Sequence, residues 1–112
     1  MNVPTFDADG YPSEDTLSAL RDWPMTDSAG ALDFLKAAWS SYGTATHTLT
    51  AHEGYLVHAE PDRKYLRVAT GGWSGNESLI QAMREAPLGG VWMWTWQLSA
   101  RGGLYIFAYQ VA

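Results

Sequence analysis

The chain has 112 residues, no cysteine and a formal net charge of −5. This length suits one domain with a single core, and the missing cysteines exclude disulfides, a thiolate nucleophile and a cysteine-ligated metal. The negative charge argues against general nucleic-acid binding, which needs basic side chains along the phosphate backbone.

Residues 1–12 are rich in turn-forming residues, and they predict a surface arm on a single domain that spans residues 1–112. The opening lacks the basic start and the apolar core of a secretory signal peptide. No apolar run approaches the roughly 20 residues that a membrane helix needs. We therefore expect a cytoplasmic protein that does not bind a membrane.

Two helices are predicted after the arm. Ser13 is a suitable N-cap for the first, which Pro24 ends because the residue before a proline avoids helical angles. Thr26 or Asp27 can cap the second, and Gly43 stands where a C-terminal glycine would release the chain. The apolar residues of the second helix recur at helical spacing, namely Leu32, Leu35, Trp39 and Tyr42.

The segment that contains these helices is strongly acidic. Seven of the twelve acidic residues lie within the first 33 residues, against a single basic residue, Arg21. Such an acidic face can dock on a basic partner protein, although a solvated surface is the commoner role of a charge run. The candidate partner-binding residues are Asp15, Asp22 and Asp27.

The pattern then changes to β-rich residues, which predict three consecutive strands. These strands are expected at residues 46–51, 55–60 and 64–70. Residues 61–63 supply a hairpin turn between the last two. A third helix is predicted from Ser74, whose spacing to Glu77 matches a capping box, up to the turn at residues 87–90.

Two further strands, at residues 91–99 and 104–111, are predicted around the turn Arg101-Gly102-Gly103. Alternation gives each strand an aromatic stripe, namely Trp92, Trp94 and Trp96 with Leu98, and Tyr105, Phe107 and Tyr109 with Val111. A two-residue turn would place both stripes on one side of the sheet. We expect this aromatic wall to be core, with a ligand surface or a symmetric homodimer face as the alternatives.

Together these patterns predict a single small α+β domain. Its mostly antiparallel sheet has about five strands, and three helices accompany it. The predicted order is α-α-β-β-β-α-β-β. The sequence shows no internal repeat, low-complexity segment or linker.

The junction TGGWSGNE at residues 70–77 is the leading candidate for a ligand site. Glycines between a strand and a helix start can present backbone amides to an anion, and an exposed tryptophan can stack on a base. Glu77 would compete for those amides, and no nucleotide-binding glycine motif is present, so a structural cap is the alternative. The candidate ligand-binding residues are Gly71, Gly72, Trp73, Ser74, Gly75, Asn76, Arg67 and Arg101.

Metal binding and catalysis receive little support from the pattern. His47, His52 and His58 lack the spacing of a metal-binding motif. The serines lack the context of a nucleophile elbow. We therefore assign no metal ligand, no cofactor and no catalytic residue, and a small hydrolase using His58 is the weakest hypothesis.

Several motifs together resemble a group of small uncharacterised proteins of bacteriophage and prophage genomes. These motifs are the TGGWSGNE junction, Leu79-Ile80, the tryptophan-bearing segment 92–96 and Arg101-Gly102-Gly103. The similarity covers roughly residues 60–109, and the segments 4–7 and 10–12 resemble the group more weakly. The resemblance implies a phage origin, and it assigns no catalytic residue because the group has no assigned activity.

This origin directs the functional expectation. Small phage accessory proteins often bind and block a host factor, including defence systems, which is an argument from a class of genes. We expect a non-enzymatic protein that modulates a host protein in the bacterial cytoplasm. The alternative is a protein that binds a nucleotide or another small anionic ligand at the 71–77 loop.

Overall fold

The computed structural model describes residues 3–110, which form a small α+β domain around an antiparallel sheet. The elements in chain order are α1 (Glu14–Arg21), α2 (Ser28–Ala38), β1 (Thr44–Thr46), α3 (Ala51–Leu56), β2 (Lys64–Ala69), α4 (Ser74–Arg84), α5 (Gly90–Thr95), β3 (Trp96–Ala100) and β4 (Leu104–Tyr109). A short 3-10 turn, Pro87–Gly89, lies between α4 and α5. The strand order is β1-β2-β4-β3, and each neighbouring pair is antiparallel.

The predicted inventory of about five strands and three helices is wrong. Residues 3–110 contain four strands and five helices, in the order α-α-β-α-β-α-α-β-β. The two additional helices are the main difference, because α3 at residues 51–56 overlaps the first two predicted strands and α5 at residues 90–95 overlaps the fourth. The first strand is also shorter and earlier than predicted, at residues 44–46.

Helix α3 replaces the end of the first predicted strand and the start of the second, because a capping box starts it. The Thr50 hydroxyl accepts a hydrogen bond from the Glu53 amide at 3.1 Å, and the Glu53 carboxylate accepts one from the Thr50 amide at 3.0 Å. This reciprocal pair satisfies two backbone donors that a helix start leaves open. The helix that follows also covers the connection between these two predicted strands, at residues 52–54.

Helix α5 replaces the start of the predicted tryptophan strand. Val91 and Thr95 are buried one helical turn apart, and the Thr95 hydroxyl donates to the Val91 carbonyl at 2.8 Å. Trp92 stacks near Trp96 with ring centroids 6.1 Å apart. A short apolar run is compatible with a strand or with a helix, and here the packing of Val91 and Thr95 against the core favours the helix. Trp92 and Trp94 therefore do not form a strand stripe.

The final hairpin also differs from its predicted register. Ala100 pairs with Leu104, so the loop has three residues instead of two, and a bulge lies between Trp96 and Leu98. The bulge shifts the pairing by one residue, which places Trp96 opposite Phe107. Val111, assigned to this strand from the sequence, lies outside the described residues.

The sheet separates two apolar layers. One face packs on α1, α2, α4 and α5, and its sheet residues are Leu66, Val68, Phe107 and Tyr109. The other face is smaller and carries Tyr65, Ile106 and Ala108 beneath Val57 of the α3 end. Phe107 and Tyr109 are buried under helices, so this aromatic face is core and is not available to a second copy.

The first two helices begin where the sequence predicted. Ser13 accepts from the Thr16 amide at 3.2 Å, and Asp27 accepts from the Gly30 amide at 3.1 Å. The second helix ends earlier than expected, at Ala38, with Trp39 as its C-cap. The predicted cap of α4 is wrong, because Trp73 is the N-cap residue and makes no side-chain cap. Within residues 3–110, no helix is long and apolar enough to cross a membrane.

Candidate functional site

The junction between β2 and α4 is held together from inside by Asn76, which is fully buried. Its Oδ1 accepts from the Ser40 amide at 2.9 Å, and its Nδ2 donates to the Thr70 carbonyl at 3.2 Å. The Thr70 amide in turn donates to the Gly103 carbonyl at 3.1 Å. Asn76 therefore links three segments of the chain, and its amide group is not open to a ligand.

Aromatic rings close the outer side of the same junction. The Trp73 ring stacks on Tyr11 with centroids 5.0 Å apart, and the Tyr42 ring lies 5.4 Å away. The indole also covers Gly75, where a Cβ would lie 2.4 Å from the ring. At Gly71 the φ angle is +65°, and a Cβ would lie 2.0 Å from the Tyr42 carbonyl oxygen, so glycine is required there. The Trp73 ring is thus in contact with Tyr11, Tyr42 and Gly75, and a base that stacked on it would have to displace one of these contacts.

The remaining ligand candidates are divided between two parts of the fold. Gly72 and Ser74 are exposed at the junction, and Arg101 is exposed in the adjacent hairpin turn. Arg67 lies on the opposite face of β2 from the main core, where its Nε donates to both carboxylate oxygens of Glu53 at 2.9 Å. Arg67 is therefore bound in an ion pair and does not reach the junction.

The Arg67–Glu53 pair lies where α3 meets the sheet. The side chains are 26% and 10% exposed. Burial raises the pKa of Glu53, but hydrogen bonds from Thr50 and Arg67 and the charge of Arg67 together hold that pKa below its ordinary value. The carboxylate thus serves α3 twice, as a cap and as an anchor to β2.

The histidines do not form a catalytic or metal site in the described part of the chain. His58 is exposed just after α3, with a φ angle of +52°, and makes no side-chain hydrogen bond within residues 3–110. The Nδ1 of His47 lies 2.9 Å from the Tyr65 carbonyl. In the same range, no three His, Cys, Asp or Glu side chains are grouped to hold a metal ion. Within residues 3–110, His58 therefore has no hydrogen-bonded acid that would support the hydrolase hypothesis.

A continuous patch of exposed apolar side chains lies on another part of the molecule, and we call it the apolar surface. It consists of Met25, Leu88, Met93 and Trp94, which are 44%, 86%, 69% and 67% exposed. Met25 lines one hollow with Leu88 and an adjoining cavity with Trp94. Met93 packs over Gly89, where a Cβ would lie 2.9 Å from that of Met93. Exposed apolar residues grouped in this way mark interaction sites.

The backbone under the apolar surface is strained. Leu88 has a φ angle of +56° and a ψ angle of 25°, and the next two glycines also have positive φ. A leucine in this left-handed region costs about 1–2 kcal/mol. Because Leu88 is 86% exposed, core packing does not offset this cost. Strain that presents an apolar side chain to solvent points to a function for that side chain.

Two of the acidic candidates, Asp22 and Asp27, border the apolar surface. Asp22 lines the hollow that contains Met25 and Leu88, and it shares a second hollow with Asp15. Asp27 caps α2 and lines the cavity that contains Met25 and Trp94. Among residues 3–110, no basic side chain is within ion-pair distance of these three carboxylates. Two of the three predicted partner-binding residues, Asp22 and Asp27, thus line hollows of the apolar surface, while Asp15 lies beyond Asp22.

The apolar surface itself was missed from the sequence. Pro87-Leu88-Gly89-Gly90 was interpreted only as the stop of α4, and the signal in it was a large apolar residue between turn formers. Met25 and Trp94 carried no such signal, because their exposure depends on how α2 and α5 pack.

Replacing Leu88 with glycine is expected to stabilise the protein. Glycine adopts positive φ without strain, but it also gives the unfolded chain more backbone freedom. The relief of strain should outweigh this entropic cost, with a net gain in stability of about 0.5–1 kcal/mol. The free energy of unfolding, measured by urea denaturation, should rise accordingly. The matched control is Leu56→Gly, at an exposed leucine that ends α3 and has no positive φ, which should lose stability by up to about 1 kcal/mol. A loss at position 88 would contradict the strain argument.

Comparison with known proteins found no matching family model, no similar curated protein and no similar solved structure.

Proposed function

We propose that this protein is a non-enzymatic phage or prophage accessory protein that binds a host protein in the bacterial cytoplasm, such as a defence component. The observation that carries the proposal is the apolar surface, with Leu88 held in a strained backbone conformation and 86% exposed. Methionine and tryptophan are frequent anchors in the centre of protein interfaces. The resemblance to phage proteins supports the host context.

The charges around the apolar surface define the partner's chemistry. Asp22 and Asp27 border it, Asp15 lies next to Asp22, and none of the three has a basic neighbour in ion-pair distance among residues 3–110. Arg21 also lines the hollow, but it lies 4.0 Å from Glu14 and 3.9 Å from Glu85. The rim is therefore acidic at Asp22 and Asp27 and carries one basic residue, Arg63, beside Trp94. We expect the partner to present an apolar recess with lysine or arginine opposite the two aspartates.

The test is capture of partner proteins from bacterial lysates with the tagged chain and matched variants. Leu88→Asp and Met93→Asp should abolish capture of a protein that the unchanged chain retains, because each places a charge in the apolar centre. Asp22→Lys should weaken that capture. Added salt should weaken capture by the unchanged chain, because it screens the attraction between Asp22 and a basic partner. The control is Tyr55→Asp, at an aromatic residue 78% exposed on α3.

The outcomes separate cleanly. Loss with the position 88 and 93 variants and retention with the position 55 variant supports the proposal. Equal capture by all variants, or no protein retained from any lysate, would contradict it. Urea denaturation of each variant checks that lost capture does not reflect unfolding.

A further inference from the structure

The sulfur atoms of this chain are all methionine thioethers, because it has four methionines and no cysteine. Met25 and Met93 are 44% and 69% exposed, and both belong to the apolar surface. Met83 of α4 is 2% exposed in the main core, and Met1 lies outside the described residues. Among residues 3–110, the exposed methionines therefore both lie in the apolar surface.

The thioether of Met93 lies beside the turn that presents Leu88. A Cβ at Gly89 would lie 3.0 Å from the Cε of Met93 and 3.5 Å from its Sδ. Gly89 directly follows Leu88, whose φ is positive. Met25 lines the hollow that also contains Leu88 and Gly90. A change in the polarity of either methionine therefore acts on the surroundings of Leu88.

A peroxide changes the polarity of a thioether in one step, by oxidising it to a sulfoxide. With hydrogen peroxide, the sulfur gives two electrons to the O–O bond, which breaks. One oxygen becomes bonded to sulfur, and the other leaves as water. The sulfoxide is polar and accepts hydrogen bonds, so its burial against an apolar partner is unfavourable unless it finds a donor.

Burial protects the core from the same reaction. A sulfoxide at Met83 would place a polar group among the core side chains and destabilise the domain, but exposure controls how readily a methionine is oxidised. Met25 and Met93 are outside the core cluster, so their oxidation leaves the packing of the core intact. Methionine sulfoxide reductases, one for each sulfoxide epimer, can return both side chains to the thioether.

We propose that Met25 and Met93 form an oxidation site that controls the apolar surface, with a peroxide as the oxidant. In the reduced state the surface is apolar and competent to bind. In the oxidised state it is polar, the fold is unchanged and the partner is released. Only the release of the partner rests on the proposed function; the oxidation of the two residues and the change of the surface do not.

The first test treats the purified chain with millimolar hydrogen peroxide and locates the added oxygen by mass spectrometry of peptides. Met25 and Met93 should each gain one oxygen at least about tenfold faster than Met83. Circular dichroism should show that the fold is retained. The oxidised chain should elute earlier from a hydrophobic-interaction column. Both sulfoxide reductases with a dithiol should restore the original elution, since the dithiol supplies two electrons and the oxygen leaves as water.

The control is the double variant with Met25→Leu and Met93→Leu, which keeps the other two methionines. Leucine is close to methionine in volume, and it takes up no oxygen from peroxide. Elution of this variant should be the same before and after peroxide treatment. An equal shift in the double variant would place the change at another residue and overturn the proposal.

The second test repeats the capture experiment with reduced, oxidised and reductase-treated chain, in bacterial lysates freed of small reductants. Oxidation should weaken capture by about tenfold or more, because the sulfoxide oxygens lie against an apolar partner. Reductase treatment should restore the capture. The double variant is compared only with itself, before and after peroxide, and the oxidant should not change the amount of protein that it retains.

Several results would overturn the proposal. They are oxidation of Met83 as fast as that of Met93, unfolding on oxidation, unchanged elution of the oxidised chain, and equal capture by the reduced and oxidised chains. If the reduced chain retained no protein at all, the proposed function would fail instead. The peptide masses and the column would still decide the oxidation site, so the two failures are distinguishable.

Discussion

Asn76→Ala is expected to lower the free energy of unfolding by about 3 kcal/mol, which should appear as a lower midpoint in urea denaturation. The side chain is fully buried and bonds Ser40 and Thr70 across the junction. Alanine would leave the Ser40 amide and the Thr70 carbonyl without these partners, and it would also leave a small void.

The control for this prediction lies on the same helix. Gln81 is exposed in α4, and Gln81→Ala should change the free energy of unfolding by less than about 0.5 kcal/mol. If Asn76→Ala cost no more than Gln81→Ala, the junction would not depend on the buried amide. Its groups would then be available for another role.

Glu53→Ala is expected to cost about 2–3 kcal/mol of stability. The substitution removes the side-chain cap of α3 and leaves the Arg67 guanidinium, 26% exposed, without its carboxylate. Glu53→Gln should cost less, because its side-chain oxygen can still accept from the Thr50 amide. Glu60→Ala, at an exposed glutamate after α3, serves as the control and should be nearly neutral. A neutral Glu53→Ala would refute the anchoring role.

The same ion pair makes part of the stability depend on pH. Because the folded pKa of Glu53 is lowered, its contribution is fully present above the ordinary pKa of a glutamate. This contribution is lost as the pH falls through the lowered folded pKa. The difference in unfolding free energy between the unchanged chain and Glu53→Gln should therefore shrink in acid. A difference that stayed constant down to acidic pH would argue against the pair.

Local signals predicted several elements well. The caps at Ser13 and Asp27 were visible in the sequence, and β2, α4 and most of β4 lie where the pattern indicated. Each of these elements has a cap or a periodic pattern that agrees with its tertiary packing. Agreement between local and global preferences makes an element readable from sequence.

The two wrong elements show where such signals fail. The motif of Thr or Ser followed three residues later by Glu occurs twice, and the prediction used the copy at Ser74 although only the copy at Thr50 forms a capping box. The difference lies in three dimensions, because Glu53 is fixed by Arg67 from β2 while Trp73 covers the start of α4. In α5, the alternation of Trp92, Trp94 and Trp96 fitted a strand, but a short apolar run such as residues 91–96 can equally belong to a helix.

The candidate sites were less readable than the fold. Sequence reasoning identified the 70–77 junction as special, and its glycines, tryptophan and asparagine are indeed tightly constrained, but by internal contacts. One hollow is lined by Met25, Arg63, Trp94 and Tyr109, which are far apart in the chain, so no local pattern could indicate it. The same holds for Met25 beside Leu88.

The edges of the sheet limit how another molecule can attach to it. On one side the last strand, β1, has only three residues, and on the other side β3 is interrupted by a bulge. Short and bulged border strands resist the addition of a foreign strand through main-chain hydrogen bonds. Association therefore has to be carried by side chains, so a partner's specificity should depend on the shape and charge of individual residues and should change with single substitutions.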